Sequence, residues 1–221
     1  WQASGPLPGR LNTALNEGAQ SVSADGNRLF FVGCNRMEGK GSCDIYTAIR
    51  REDGSWSQAV NMGDSINTAN WETQPSISPD GRTLYFIRGA KRDPKSSDLW
   101  YSTLHSNGYW TRARRMPSMV NSPGRESSPF IHFDNQTLYF SSDGRVGMGS
   151  LDFFVTRKQK DGSWSEPQNL GFPINGPGEE VGLVISADGS TAYYSSDMEG
   201  GYGSLDLYTF EMPREYRPVA S

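Results

Sequence analysis

Histidine and cysteine are scarce in this chain of 221 residues, with two of each, and long apolar runs and helical periodicity are missing altogether. Each shortage excludes something. His105 and His132 fall in unrelated places without a companion serine or cysteine motif, so no nucleophile and base can be paired. Cys34 and Cys43 do not have the C-x-x-C spacing of metal or redox pairs. No apolar stretch approaches the roughly 18 residues that a membrane-spanning helix needs. A net charge of −4 argues mildly against nucleic acid as a partner. Neither an initiating methionine nor a signal peptide precedes Trp1, which fits a processed product or, better, a domain cut from a longer protein.

What is present is a phrase repeated four times. Trp1, Trp56, Trp110 and Trp164 each stand 11 residues before an asparagine: Asn12, Asn67, Asn121 and Asn175. The tryptophans recur at intervals of 55, 54 and 54 residues, a period that points to propeller blades or arrays. Repeat two displays the plan. A strand at Gln74–Pro79 meets the turn Asp80-Gly81, and Thr83–Ile87 returns. A third strand follows at Asp98–Thr103, then the turn Asn107-Gly108 and a fourth strand at Trp110–Ala113. Asp-Gly between β-rich runs is a strong hairpin signal, and Asp25-Gly26, Asp134-Asn135 and Asp188-Gly189 repeat it.

Four antiparallel strands per repeat predict an all-β fold, a β-propeller of four blades in one domain over 1–221. The repeats run over about 12–66, 67–120, 121–174 and 175–212. The last supplies only three strands, and the one it lacks is the one that Trp1–Leu7 resembles. The N-terminal segment, residues 1–11, is therefore expected to join the last blade as its outer strand and close the ring, leaving no open sheet edge. Cys34 and Cys43 flank a glycine-rich loop between two predicted strands. They either form a disulfide, which implies an oxidising compartment, or pack as reduced thiols.

Glu17, Glu72, Glu126 and Glu180 recur five residues after each repeat asparagine. They could ring the channel mouth and bind a basic peptide or a cation such as Ca²⁺, which wants several converging oxygens. Alternatively, each is bonded within its own blade; recurrence suits both readings, and the architectural one is preferred. Asp44, Asp98, Asp152 and Asp206 open the third strands, where backbone N–H groups can bond them. Repeat two breaks the Gly-x-Gly pattern of its neighbours with Lys91-Arg-Asp-Pro-Lys95. With Arg88, Arg92, Arg112, Arg114 and Arg115 this makes a basic cluster in an acidic chain, a contact for an acidic partner or a solvated loop.

The phrase Ser78-Pro-Asp-Gly-Arg-Thr-Leu-Tyr-Phe86 resembles the WD40-like, TolB-type PD repeat. The phrases Tyr139-Phe-Ser-Ser-Asp-Gly-Arg-Val-Gly-Met-Gly-Ser-Leu-Asp152, Trp164–Gly171 and Gly200–Tyr208 resemble the propeller segment of Bacteroidetes-type OmpA-family envelope proteins. The tail Phe210–Pro218 is similar to that family's exit into a following β-domain. The resemblance implies a periplasmic domain, held at the outer membrane through the full-length protein, with envelope or secretion-system proteins as partners. Peptidoglycan binding belongs to a domain that nothing here resembles. The expectation is a non-catalytic scaffold without a cofactor; the alternatives are a lectin-like module for glycan or peptide and, behind it, a propeller glycosidase, whose paired carboxylates are not evident.

Overall fold

The computed structural model describes residues 5–7, 11–90, 93–198 and 200–219. The chain is a four-bladed propeller whose sheets follow one another in sequence. Blade 1 is β1 (Glu17–Val22), β2 (Arg28–Cys34), β3 (Cys43–Ile49) and β4 (Val60–Asn61). Blade 2 is β5 (Trp71–Ile77), β6 (Thr83–Ala90), β7 (Asp93–Thr103) and β8 (Arg114–Arg115). Blade 3 is β9 (Glu126–Ile131), β10 (Thr137–Ser142), β11 (Asp152–Arg157) and β12 (Gln168–Asn169). Blade 4 has three strands, β13 (Glu180–Ile185), β14 (Thr191–Ser196) and β15 (Asp206–Glu211). All pairings within the blades are antiparallel.

The first hairpin of each blade turns as the sequence predicts. Gly26, Gly81 and Gly189 take φ of 71°, 68° and 73°, and Asn135 takes 59° in the same place. Asparagine tolerates this left-handed region better than most residues. In each turn the aspartate accepts from the backbone N–H two residues on, as Asp80 does from Arg82. The fourth strand differs from expectation. Trp56, Trp110 and Trp164 make single bridges to Arg50, Leu104 and Lys158, and the strand proper comes later and is two residues long. Between the two the ladder is interrupted because a hydroxyl takes its place: Ser57, Thr111 and Ser165 accept from the N–H groups of Ile49, Thr103 and Arg157. The basic loop of repeat two is also tighter than expected, since β7 already begins at Asp93, opposite Ala90.

Two repeated residues join the blades. Three of the four repeat asparagines bond both backbone groups of one residue in the preceding blade's third strand: Asn67 to Ile45, Asn121 to Leu99 and Asn175 to Phe153. A buried amide in that position replaces ladder bonds that the backbone itself cannot make. Trp110 packs edge-on against Phe30 of blade 1, and Trp164 against Tyr85 of blade 2. The core accordingly lies between sheets, in clusters around Phe30, Phe140 and Tyr139.

This order stops at blade 4. Leu207 stands where Ile45, Leu99 and Phe153 stand, yet it is 72% exposed while those three are fully buried. Asn12 does not reach it and instead accepts from Leu7 N–H. Residues 1–4 and 8–10 lie outside the described residues, and 5–7 form no strand, so the expected closing strand falls largely outside what is described. Against Tyr139 the tail takes the wedge position: the Tyr139 hydroxyl donates to the Tyr216 carbonyl, and Tyr216 packs on that cluster. Among the described residues no helix is long and apolar enough to cross a membrane.

Candidate functional site

The four repeat glutamates open the inner strands, and register sets each opposite one residue of the second strand: Glu17 opposite Gly33, Glu72 opposite Arg88, Glu126 opposite Ser142 and Glu180 opposite Ser196. Glu72 is buried, accepts from Thr68 N–H and Oγ1, and receives Arg88 Nε at 2.7 Å. Arg88 also donates to the Ile66 carbonyl and lies over the Trp100 ring, 4.1 Å from its centre. Glu17 is held in the same way by Thr13 and by Arg36, which donates to the Leu11 carbonyl and lies 4.6 Å from the Tyr46 ring centre. Arg36 comes from the following loop and crosses Gly33, where a Cβ would meet its Nε at 2.5 Å. Glycine there makes room for the arginine.

Blade 3 offers the same seat differently. Arg145, again from the loop, donates to the Val120 carbonyl and lies 5.8 Å from the Phe154 ring centre. Among the described residues, Glu126 is held by Ser122 and Ser142 and pairs with no cation, and its Oε2 has no partner. Glu180 in blade 4 has less. Ser196 lies 3.4 Å away, and Gly176 stands where Thr13, Thr68 and Ser122 supply hydroxyls. Burial therefore pushes Glu126 up to about 7, against the bonds from Ser122 and Ser142, and pushes Glu180 up to about 7, against the Gly176 backbone bond. For Glu17 partial burial also pushes upward, but the bonds from Thr13 and Arg36 outweigh it and hold the carboxyl below its usual value.

The basic cluster divides. Arg88 is inside the blade. Arg115 grips Asp98 with both Nε and Nη2, at 2.7 and 2.6 Å. Arg112 and Arg114 are exposed. Lys91 and Arg92 lie outside the described residues, as does the side chain of Lys95. The pairing of Asp98 explains why blade 2 differs. Asp44, Asp152 and Asp206 accept from backbone N–H groups of the Gly-x-Gly loops, such as Gly41, Gly149 and Gly203. Blade 2 lacks that loop, and an arginine serves instead. Cys34 and Cys43 face each other in register and form a disulfide, closing the loop that carries Arg36. His132 is buried, with Nδ1 accepting from Asp134 N–H and Nε2 against the Ser186 carbonyl, a linking role between blades 3 and 4. Sequence reasoning named Arg88 but missed Arg36 and Arg145. The available signal was an arginine just after the second strand in blades 1 and 3.

The four inner strands surround a cavity of about 440 Å³, lined among others by Gln20, Gln74, Ser128, Phe130 and Val184. Each strand bulges there, with Ala19, Gln74, Ser128 and Gly182 at φ of 46°, 50°, 50° and 69°. The lining is uneven. Ser21 and Ser76 accept from Ile77 and Ile131 N–H of the next blade, whereas Phe130 and Val184 take the equivalent places in blades 3 and 4. Among the described residues no group of three or more His, Cys, Asp or Glu is arranged to hold a metal ion.

No protein-family profile matches the chain, and no curated protein matches it by sequence. Solved structures do. TolB from Acinetobacter baumannii superposes with a TM-score of 0.63 over 91% of this chain at 17% identity, and the match covers 42% of that protein. A puromycin-hydrolyzing peptidase of Mycobacterium tuberculosis matches over 89% of this chain and 30% of its own length, with a TM-score of 0.53 and 16% identity. An α-L-arabinofuranosidase from Lactobacillus brevis matches over 88% and 72%, with a TM-score of 0.53 and 11% identity. The likeness is one of fold. This chain has a TolB-like β-propeller fold and spans less than half the length of the first two.

Proposed function

We propose that this propeller is a non-catalytic interaction scaffold of the bacterial cell envelope, located in the periplasm. One observation carries the reading: apart from one oxygen each of Glu126 and Glu180, the recurring carboxylates are held within their own blades by hydroxyls, backbone N–H groups or arginines. The repeated polar groups thus build a rigid frame, while the exposed charge differs from blade to blade. The disulfide supports an oxidising compartment. The motif resemblance to OmpA-family envelope proteins supports a place beside secretion components of the PorE type in the type IX system, with peptidoglycan reached only through another domain. Cross-linking of the native full-length protein in intact envelopes should yield a defined protein partner, and contact should weaken when Arg112 and Arg114 are changed to glutamate. Hydrolysis of arabinofuranoside or aminoacyl-amide substrates, lost on changing Glu126 or Glu180 to glutamine, would overturn it.

A second reading rests on the central cavity, whose polar and apolar walls suit a short peptide or glycan. Binding to a glycan array without any cross-linked protein would favour it.

A further inference from the structure

Three blades place their own arginine in one kind of seat, two of them bonding its glutamate, and the fourth has the seat but no arginine in its repeat. The seat has three parts: the carbonyl of the residue before the repeat asparagine, an aromatic ring of the third strand and, opposite, the repeat glutamate. Arg36, Arg88 and Arg145 meet the carbonyls of Leu11, Ile66 and Val120 and the rings of Tyr46, Trp100 and Phe154. They reach it from two different repeat positions, Arg36 and Arg145 from 19 residues after the repeat glutamate and Arg88 from 16, so the seat accepts a guanidinium from either the strand or the loop. The corresponding parts in blade 4 are the Ile174 carbonyl, Glu180 and Tyr208, with Tyr194 5.5 Å from Tyr208 between ring centres.

The repeat that forms the three described strands of blade 4 carries no cation of its own. Residues 175–212 contain seven Asp and Glu and no Lys or Arg, although the chain has 21 Lys and Arg. Arg125 of blade 3 approaches this face but pairs with Glu179, not Glu180. Glu180 is 1% exposed, and its Oε2 has no hydrogen-bond partner among the described residues. A buried carboxylate oxygen without a partner is costly. Glu180 lies close enough to Tyr194 to add to the effect of burial in raising that phenol. Gly200–Ser204, on the loop between β14 and β15, are exposed, and Gly201 lies against the Tyr208 hydroxyl.

We propose that the blade 4 seat, formed by the Ile174 carbonyl, Glu180, Tyr194 and Tyr208, binds the guanidinium of an arginine side chain from a partner polypeptide. Guanidinium suits the seat because its planar fork serves a carboxylate and a carbonyl together while stacking on an aromatic face. A lysine ammonium is a point charge with a stronger hold on water. The proposal deepens the scaffold reading by naming the partner's contacting group.

The test uses NMR of the purified protein, following the Tyr194 and Tyr208 rings. The probes are N-acetyl-arginine amide, its citrulline and lysine counterparts, and a capped pentapeptide with a central arginine. The arginine probes should produce saturable shifts at concentrations up to about 50 mM, a range suited to weak single-residue binding. Citrulline should produce none, lysine should bind more weakly than arginine, and the pentapeptide should bind more tightly than the single residue. Glu180→Gln, which keeps the side-chain volume, should weaken binding about tenfold or more. Ser196→Arg places an arginine where Arg88 stands in blade 2; it should abolish binding and raise the melting temperature. Absence of saturable shifts, equal binding of citrulline or lysine, or wild-type affinity in Glu180→Gln would overturn the seat. Binding of the single residue without the pentapeptide would overturn the polypeptide partner. None of these failures touches the blade 2 cross-link, so the scaffold reading stands or falls separately.

Discussion

Blades 1 and 2 bury the repeat glutamate against an arginine, whereas blades 3 and 4 bury the same residue among serines and backbone. Glu72 meets Arg88 at 2.7 Å, and Glu17 meets Arg36 at 3.0 Å. Glu126 and Glu180 have hydroxyls and, among the described residues, an unpartnered oxygen each. One position of one repeat is thus an ion pair in half of the ring and a raised carboxyl in the other half. A residue that recurs in sequence need not recur in protonation, because the partner across the strand decides it.

The comparison breaks most sharply at Arg88. Arg88→Ala leaves Glu72 buried and unpaired and should cost about 3–5 kcal/mol in urea unfolding. Removing both partners, as Glu72→Leu with Arg88→Met, should cost much less, since most of the loss comes from the stranded charge. A full loss in the double variant would count against the pair as the cause.

A smaller effect separates the two arginine blades. Arg88 sits on the strand itself, but Arg36 hangs on the loop that Cys34 and Cys43 close. Changing both cysteines to alanine should cost roughly 2–3 kcal/mol for a loop of this length. It should also lift the Glu17 carboxyl toward its ordinary value, readable by NMR titration. An unchanged Glu17 would show that the loop holds Arg36 without the disulfide.

The smallest effect is a pH slope of opposite sign in the two halves. Glu126 is raised from 4.5 to about 7, so the folded state binds the extra proton in that window. Its contribution is present below about pH 4.5 and lost as pH rises through about 7. Glu126→Gln should therefore flatten a fall in stability across that window, by urea unfolding at pH 5 and 8. Glu17 is depressed, so its contribution is present above pH 4.5 and lost at lower pH. Glu17→Gln should weaken the protein at pH 8 and converge on wild type in acid. Parallel slopes for the two variants would contradict the assignment.

Much of the frame was legible in the chain. The Trp–Asn interval located the blades, and Asp-Gly located the first hairpins, because both signals arise from local backbone geometry. The fourth strands were placed too early because Ser57, Thr111 and Ser165 stand in for ladder bonds, and a hydroxyl's partner cannot be read from its neighbours in sequence. Arg88 was grouped with Lys91 and Arg114 as surface charge, yet its strand register turns it toward Glu72. Arg36 and Arg145 align with each other but not with Arg88, and only folding shows that the loop position and the strand position reach the same seat.

By itself, then, the sequence determined the repeat, the turns and which side chains recur, since these follow from spacing and from residues that tolerate tight backbone turns. Tertiary structure alone decided which recurring glutamate is an ion pair and which is raised, and that blade 4 keeps a seat for a cation it does not carry. Those outcomes depend on burial and on partners brought together across strands and loops, and neither is set by neighbours along the chain.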